Sequence, residues 1–361
     1  MMKALPEALP RDGHPPARYV TLDGMRGLAA IAVALFHFDI YLVPHGYLAV
    51  DFFFVLSGFV LYRSYLPRLR EGLGIGRFML QRLARLYPLF MLGLMLGVAL
   101  ALQQIAVGDD KAMSGSALAT TILFNGAMLP SPVDLPLYPL NVPSWSLFFE
   151  IVASFALVAL LFRLPRFALA GICLLAAVGL VPIMLDHGSG NIGALWHEYD
   201  IALMRTAYSF TFGAIIASLP EGHLRKANWL GVACIAAIGI LLAAPVPSAW
   251  TARYDLLVIL VLSPALVFLG TRCEPVSIAA PIAAFAGEVS YALYAVHWSF
   301  IEPMRAAVAQ LGLSPVPAAA LFLAVMLTAA AAAVRWYDLP LRRRLTAMLR
   351  RSERRVRPLG A

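Results

Sequence analysis

The sequence predicts an all-α fold, a polytopic transmembrane helix bundle of about ten spans with both termini in the cytoplasm. Three observations predict it. Of the 361 residues 61% are hydrophobic and only 13% charged, with a mean hydropathy of +0.79; a soluble domain carries about 25% charged residues. Apolar runs of about 20 residues recur along the chain, the length a helix needs to cross about 30 Å of hydrocarbon. All of the 28 Lys and Arg residues except Lys111, Arg205, Arg253 and Arg305 fall in the termini and in every second loop, the asymmetry that places those segments on the cytoplasmic side.

The first span, at about 21–42, contains LDGMRGLAAIAVALFHF. The second, at about 47–66, contains AVDFFFVLSGFVLY, and a basic loop with Arg63, Arg68, Arg70, Arg77, Arg82 and Arg85 follows. A third span opens at Leu86-Tyr87-Pro88 and runs to about 106. Within 107–142 the apolar part, near 117–129, is only about a dozen residues, which suits a re-entrant or interfacial segment better than a span. An eleventh crossing there would also invert the charge asymmetry of everything downstream. Further spans are expected at about 143–162, 167–185, 201–219, 229–244, 256–270, 281–300 and 315–334. The expected division is a polar cytoplasmic segment at 1–20, a membrane domain at 21–338 and a basic cytoplasmic tail at 339–361. The N-terminal segment lacks the apolar region of a cleaved signal, so the first span is expected to direct insertion uncleaved.

The formal charge of +8 and pI of about 9.6 are those of positive-inside loops, not of a nucleic-acid-binding face, since no basic face interleaved with aromatics occurs. Cys173, Cys234 and Cys273 stand singly, with no CxxC or Cys/His ligand spacing, so neither a disulfide framework nor a zinc site is expected. His14, His45, His187, His197 and His223 fall in loops and read as solvated. Walker, Rossmann, HExxH and nucleophile-elbow patterns are absent. Any chemistry must come from side chains on helices inside a bundle. No repeat relates the spans, which disfavours an inverted-repeat transporter.

Candidate residues follow from ionisable groups placed in apolar helices. Arg26 and His37 are eleven residues apart, about three turns, so they share one helical face roughly 16 Å apart along the axis. Charged or titratable groups inside a membrane are costly and face a polar interior. Histidine is also the usual base near neutral pH. The neighbouring span contributes Asp51 and Ser57. Arg82 and Arg85, in RLAR, share a face at the cytoplasmic end of the third span, where guanidinium groups suit a phosphorylated ligand or serve as topological anchors. In NVPSWSLFFE, Glu150 lies four residues after Ser146, and a glutamate there needs a cationic partner or a proton; Trp145 adjoins them. Late in the chain GEVSYALYAVHWSF places Tyr294 and His297 three residues apart, a pair that packing alone would also explain.

Taken in order, LDGMRGLAAIAVALFHF, VDFFFVLSGFVL, RLARLYPL, PSWSLFFE, GEVSYALYAVH and WYDLPLRRRL resemble the motifs of the integral-membrane type 3 acyltransferases, the bacterial family that O-acylates glycans. The resemblance covers about 19–345. It departs from the family pattern at Phe149-Glu150, where two acidic residues are common, and at Asp338, where a glutamate is usual. No fused hydrolase-like domain is expected. The resemblance implies transfer of an acyl group, often acetyl, from cytosolic acyl-CoA (acetyl-CoA) to a hydroxyl of a glycan or another acceptor at the outer face of the bacterial inner membrane, without a metal. On that reading Arg82 and Arg85 meet the CoA phosphates. His37 deprotonates the acceptor or transiently carries the acyl group, Glu150 or Asp51 orients His37, and Arg26 stabilises developing charge. The competing class is a transporter or flippase for acyl groups or lipid-linked sugars, in which His37 relays protons; release of free thiol from acyl-CoA separates the two.

Overall fold

The computed structural model describes residues 18–110, 112–133, 136–220 and 227–356, with side chains to 349. The expectations for His14, Lys111, His223, Arg225, Lys226 and most of the N-terminal segment fall outside the described residues. The helices, in order, are α1 (Val20–Phe38), α2 (Ala49–Arg70), α3 (Ile75–Ala106), α4 (Gly115–Gly126), α5 (Trp145–Ala159), α6 (Arg166–His187), α7 (Tyr199–Ser218), α8 (Trp229–Leu242), α9 (Thr251–Leu257), α10 (Ser263–Gly270), α11 (Ala280–Val296), α12 (Ile301–Gln310), α13 (Pro315–Ala332) and α14 (Leu339–Val356). A π-helical stretch, Val258–Leu262, joins α9 to α10, and another, Ala333–Asp338, joins α13 to α14. A two-residue parallel bridge, Ala227–Asn228 with Glu274–Pro275, ties two connections together.

Among the described residues, eight helical segments are long and apolar enough to cross a membrane. The seventh and ninth of the ten expected spans correspond to α8 and α11, of 14 and 17 residues, shorter than the roughly 20 of a full straight crossing. Phe167, Leu174, Leu175 and Val178 on α6 are exposed, an apolar surface with no protein neighbour, as a lipid-facing helix requires. The third helix begins earlier than expected, so Arg77, Arg82 and Arg85 are helical and not in a loop.

Two parallel helix pairs organise the bundle. In the first, α1 lies against α11: a Cβ on Gly27 would stand 2.4 Å from that of Ala286, and one on Gly287 would stand 2.6 Å from that of Asp23. In the second, α2 lies against α7, where a Cβ on Gly58 would reach 2.0 Å from the Phe210 carbonyl and one on Gly213 2.0 Å from the Val55 carbonyl. Small residues let backbones approach this closely, which is how helices associate where lipid removes the hydrophobic driving force. The start of α1 is held by Glu274, whose Oε2 accepts from the amides of Val20 (2.9 Å) and Thr21 (3.2 Å). A carboxylate there satisfies orphan amides and the positive end of the helix dipole.

Twelve-residue α4 runs back along α3. Its last residue, Gly126, meets Leu94 and accepts from the Tyr87 hydroxyl at 2.8 Å. Those α3 positions adjoin Leu86 and Gly93, which meet Tyr291 and Ala295 of α11. The segment therefore runs level with Tyr291–Ala295, in the last third of α11, before turning at Met128, which has a left-handed φ of 58°. The returning chain is pinned by Ser131, whose amide donates to Leu137 O at 2.8 Å, and by Tyr138, whose hydroxyl donates to Met128 O at 2.8 Å.

Candidate functional site

His37 sits in the last turn of α1, half-buried, and its stripe faces α11. Its Nδ1 lies 2.9 Å from Nε2 of fully buried His297. The other nitrogen of His297 faces only carbonyl oxygens, those of Leu293 at 3.1 Å and Tyr294 at 2.9 Å. Carbonyls accept, so Nδ1 of His297 carries the hydrogen. With both rings neutral, Nε2 of His297 must accept, and Nδ1 of His37 donates to it. That leaves the lone pair on Nε2 of His37, a base by elimination. Arg305 of α12 clamps the turn beneath: its Nε donates to Phe38 O at 2.9 Å and its Nη2 to His37 O at 2.8 Å. A cation there suits a helix C-terminus. In sequence Arg305 is merely a basic residue on the far side.

Arg26, on the same face, donates to Gly287 O at 3.0 Å and to Asp23 Oδ1 at 2.9 Å. Both polar groups of the α1 stripe are thus met by α11, Arg26 at its middle, on Gly287, and His37 just past its end, on His297.

Neither Asp51 nor Glu150, the two acids expected to orient His37, is its partner. Asp51 is fully buried and paired with Arg205 of α7, which bonds Oδ1 from Nε at 3.1 Å and Oδ2 from Nη2 at 2.5 Å. Arg205 also donates to Ile192 O and lies over the Trp145 ring. Trp145 is thereby a packed residue, against Phe54 and Phe149, and not a lipid-interface residue. Glu150 Oε1 accepts from Ser57 Oγ and Arg82 Nη2, each at 2.5 Å. Arg82, expected at an open mouth, is turned inward, with 4% of its side chain exposed. Glu150 is itself half-buried, and a carboxylate so enclosed needs a cation, which Arg82, two turns into α3, supplies.

Ser146 and Tyr294 join the two polar groups. Their hydroxyls are 2.7 Å apart and both reach Pro143 O. Tyr294 lies one turn before His297, ring centroids 5.9 Å apart. Asn141 ties the start of this motif to α11 by donating to Ala295 O at 2.8 Å, in the space left by Gly93. The site is thus assembled from α1, α2, α3, α5 and α11: Ser57, Glu150 and Arg82 on one side, His37 and His297 on the other, with Ser146 and Tyr294 between.

One loop expectation changes. His45 is buried, not solvated: its Nδ1 is 3.0 Å from Asp255 Oδ1, and Asp255 also accepts from Tyr47 OH and the Gly190 amide, each at 2.7 Å. This cluster satisfies its own groups and holds the α1–α2 turn against α9 and the loop after α6. Cys234 and Cys273, separate in sequence, have sulfurs 4.0 Å apart and unbonded. Burial raises the pKa of the Cys273 thiol, and it also pushes up the Tyr138 phenol in the loop before α5. Among the described residues no group of three or more His, Cys, Asp and Glu side chains has the arrangement to hold a metal.

A family model described as an acyltransferase domain matches residues 19–335. The chain belongs to the type 3 acyltransferase family. This acyltransferase is similar to a protein of Rhizobium radiobacter named protein 2 in the picA locus, 38% identical over 154 residues, 39% of this chain and 81% of that one. It is similar to the acyltransferase MdmB of Streptomyces mycarofaciens, 26% identical over 321 residues, 79% of each chain. It also resembles the peptidoglycan O-acetyltransferase OatA of Listeria monocytogenes, 36% identical over 74 residues, 20% of this chain and 12% of that one. No solved structure matches it. The protein is a multi-pass membrane acyltransferase, and its family implies an acyl donor.

Proposed function

We propose that this acyltransferase moves an acyl group, acetyl in the simplest case, from cytosolic acyl-CoA to a hydroxyl of a sugar or glycan at the outer face of the plasma membrane, with His37 as general base. The observation that carries the proposal is the His37–His297 pair, which leaves Nε2 of His37 as a lone pair at the end of a polar stripe that starts at Arg26. With the basic termini cytoplasmic, as the charge asymmetry requires, Arg26 is near the inner face. His37, only one residue from the end of α1, is near the outer face. The reaction then joins an inner donor to an outer acceptor through one bundle.

In this mechanism Nε2 of His37 takes the proton of the acceptor hydroxyl as its oxygen attacks the thioester carbonyl. The carbon–sulfur bond breaks, and the proton on His37 passes to the leaving thiolate, giving the ester and free thiol. His297 holds the reactive tautomer of His37 and delocalises the transient positive charge through their shared hydrogen bond. The hydroxyls of Ser146 and Tyr294, bonded to each other and to Pro143 O, hold α5 against α11 next to His297. The similarity to a peptidoglycan O-acetyltransferase supports a glycan acceptor.

The test is thiol release from acetyl-CoA by purified protein in nanodiscs, with and without short glycan acceptors, for wild type and His37→Ala. Acceptor-dependent thiol release by wild type and its loss by at least a hundredfold in a folded His37→Ala variant are expected. Full activity of the variant overturns the mechanism, and absence of any thiol release by wild type overturns the donor and favours transport.

A further inference from the structure

Between the start of α1, the inner half of α2 and the ends of α7 and α10 lies a crevice that the mechanism above does not use. Tyr19, Phe59, Arg63, Leu219, Phe268 and Arg272 line it. Its floor is apolar: Phe59 is buried and meets the Tyr19 ring edge-on at 5.3 Å. Two guanidinium groups stand over that floor. Arg63 reaches the end of α7, with Nη1 3.5 Å from Ala217 O. Arg272 is half-buried, with Cζ 4.1 Å from the centroid of the Phe268 ring, and its Nε is buried without a partner. A buried donor left unpaired costs free energy that a bound acceptor restores, whereas an arginine that only anchors topology keeps its head in water. None of the described residues lining the crevice is acidic. The acid nearest to Arg272 in sequence, Glu274, is committed to the amides that open α1.

The depth of the crevice says what fills it. Arg272 lies two residues past the membrane-crossing segment that ends at Gly270, Pro220 two past the one that ends at Ser218, and Tyr19 one before the one that begins at Val20. Three segment ends therefore meet where hydrocarbon gives way to headgroups. Beside Phe268, Ala265 and Leu269 are exposed one turn apart, a flank of α10 along which acyl chains can lie.

We propose that this crevice binds the phosphate of an anionic phospholipid, in the inner leaflet if the termini are cytoplasmic, with Arg272 as its main ligand and Arg63 as the second. Guanidinium forks bind phosphate oxygens bidentately, and basic groups at this depth attract anionic headgroups. A zwitterionic lipid is disfavoured, because its ammonium adds a third cation to a site that holds two. The bound lipid ties the start of α1 to α2, α7 and α10, and so fastens the two helix pairs of the bundle together at one end. The inference uses neither the acyl donor nor the acceptor. Soluble phosphate offers the same oxygens, and the test separates the two sources.

The experiment titrates the full-length protein in detergent with phosphatidylglycerol, phosphatidylcholine, inorganic phosphate or coenzyme A. Occupancy is read by native mass spectrometry and stability by melting temperature. Wild type, Arg272→Gln and Arg272→Lys are compared, with Arg63→Gln as the second variant should Arg272→Gln fail to give a monodisperse peak in size exclusion. Wild type is expected to hold one phosphatidylglycerol in preference to phosphatidylcholine and to melt higher with it. Arg272→Gln should weaken that binding about tenfold, the factor for one charge-assisted hydrogen bond, and Arg272→Lys by less, while all three melt alike in phosphatidylcholine. Equal retention of phosphatidylglycerol by wild type and Arg272→Gln overturns the site. Protection of wild type, but not of Arg272→Gln, by inorganic phosphate or coenzyme A and not by phosphatidylglycerol overturns the lipid assignment. A variant that loses as much stability in phosphatidylcholine as in phosphatidylglycerol shows that Arg272 only packs on Phe268, which also overturns the proposal.

Discussion

Asp51→Asn separates a structural acid from a catalytic one. In the native protein Asp51 and Arg205 form a two-pronged pair with 0% and 1% of their side chains exposed. The asparagine keeps the shape and one hydrogen-bond acceptor but leaves the Arg205 guanidinium without its neutralising charge. Removing one partner of a buried pair costs about 3–5 kcal/mol. Asp255 is near enough to Arg205 to offset part of this, which puts the expected cost at the lower end, about 3 kcal/mol. At about 2 °C per kcal/mol for a chain of this size, the melting temperature falls by about 6 °C. The double variant Asp51→Leu with Arg205→Met removes both charges. Apolar replacement of a buried pair is often neutral or stabilising; the lost bond to Ile192 O costs about 1 kcal/mol. The double variant should therefore melt within about 2 °C of wild type and retain acyl transfer. The assays are intrinsic tryptophan fluorescence on heating and thiol release from acetyl-CoA. Unchanged melting of Asp51→Asn refutes the burial argument. A stable double variant without transfer shows that Asp51 takes part in the chemistry.

Other outcomes follow from the same structure. His297→Ala removes the acceptor that fixes the tautomer of His37 and should lower kcat by about 10- to 100-fold, less than His37→Ala, since a general base contributes about 10²–10⁴; equal activity of His297→Ala and wild type would remove His297 from the mechanism. Arg305→Gln, read by the same kinetics, should reduce kcat while leaving donor KM near wild type, because among the described residues the side chain bonds the carbonyls of His37 and Phe38 and its neighbour Glu302. Gly213→Ala places a Cβ 2.0 Å from a backbone carbonyl of α2 that cannot yield locally. It should cost about 3 kcal/mol or more and appear as loss of the monodisperse peak in size exclusion, whereas Gly76→Ala, which meets nothing within 4 Å, should not. Burial raises the Cys273 pKa, so at pH 7 its thiol stays protonated and unreactive; maleimide should label it only after denaturation, and fast labelling of the folded protein would contradict its burial.

The helical class, the positions of the long spans and the acyltransferase motifs were legible along the chain, because apolar length, helical periodicity and charge asymmetry are properties of consecutive residues. The shared face of Arg26 and His37 belongs to this kind of information, and so does the shortness of 117–129. The helices at the expected spans of about 229–244 and 281–300 are shorter than composition suggests, Trp229–Leu242 and Ala280–Val296, because their length is decided by where connections such as the one holding Glu274 take over.

Partnership between ionisable groups was not legible. Glu150 visibly needed a cation, yet the sequence offers Arg26, Arg82, Arg85 and Arg205 without ranking them. The choice was made by the α2–α7 register, which assigns Arg205 to Asp51, and by the position of α3, which assigns Arg82 to Glu150. His45 looked like a loop residue because nothing local says that its turn folds under α9 onto Asp255. Buried charges are paired because a lone one costs too much. That rule is local, but its solution is found only when distant helices close on one another. By itself, then, the sequence determined a membrane acyltransferase with a histidine on a polar helical stripe. Tertiary structure decided that this histidine answers to another histidine on α11, through parallel packing that a stripe of glycine and alanine permits.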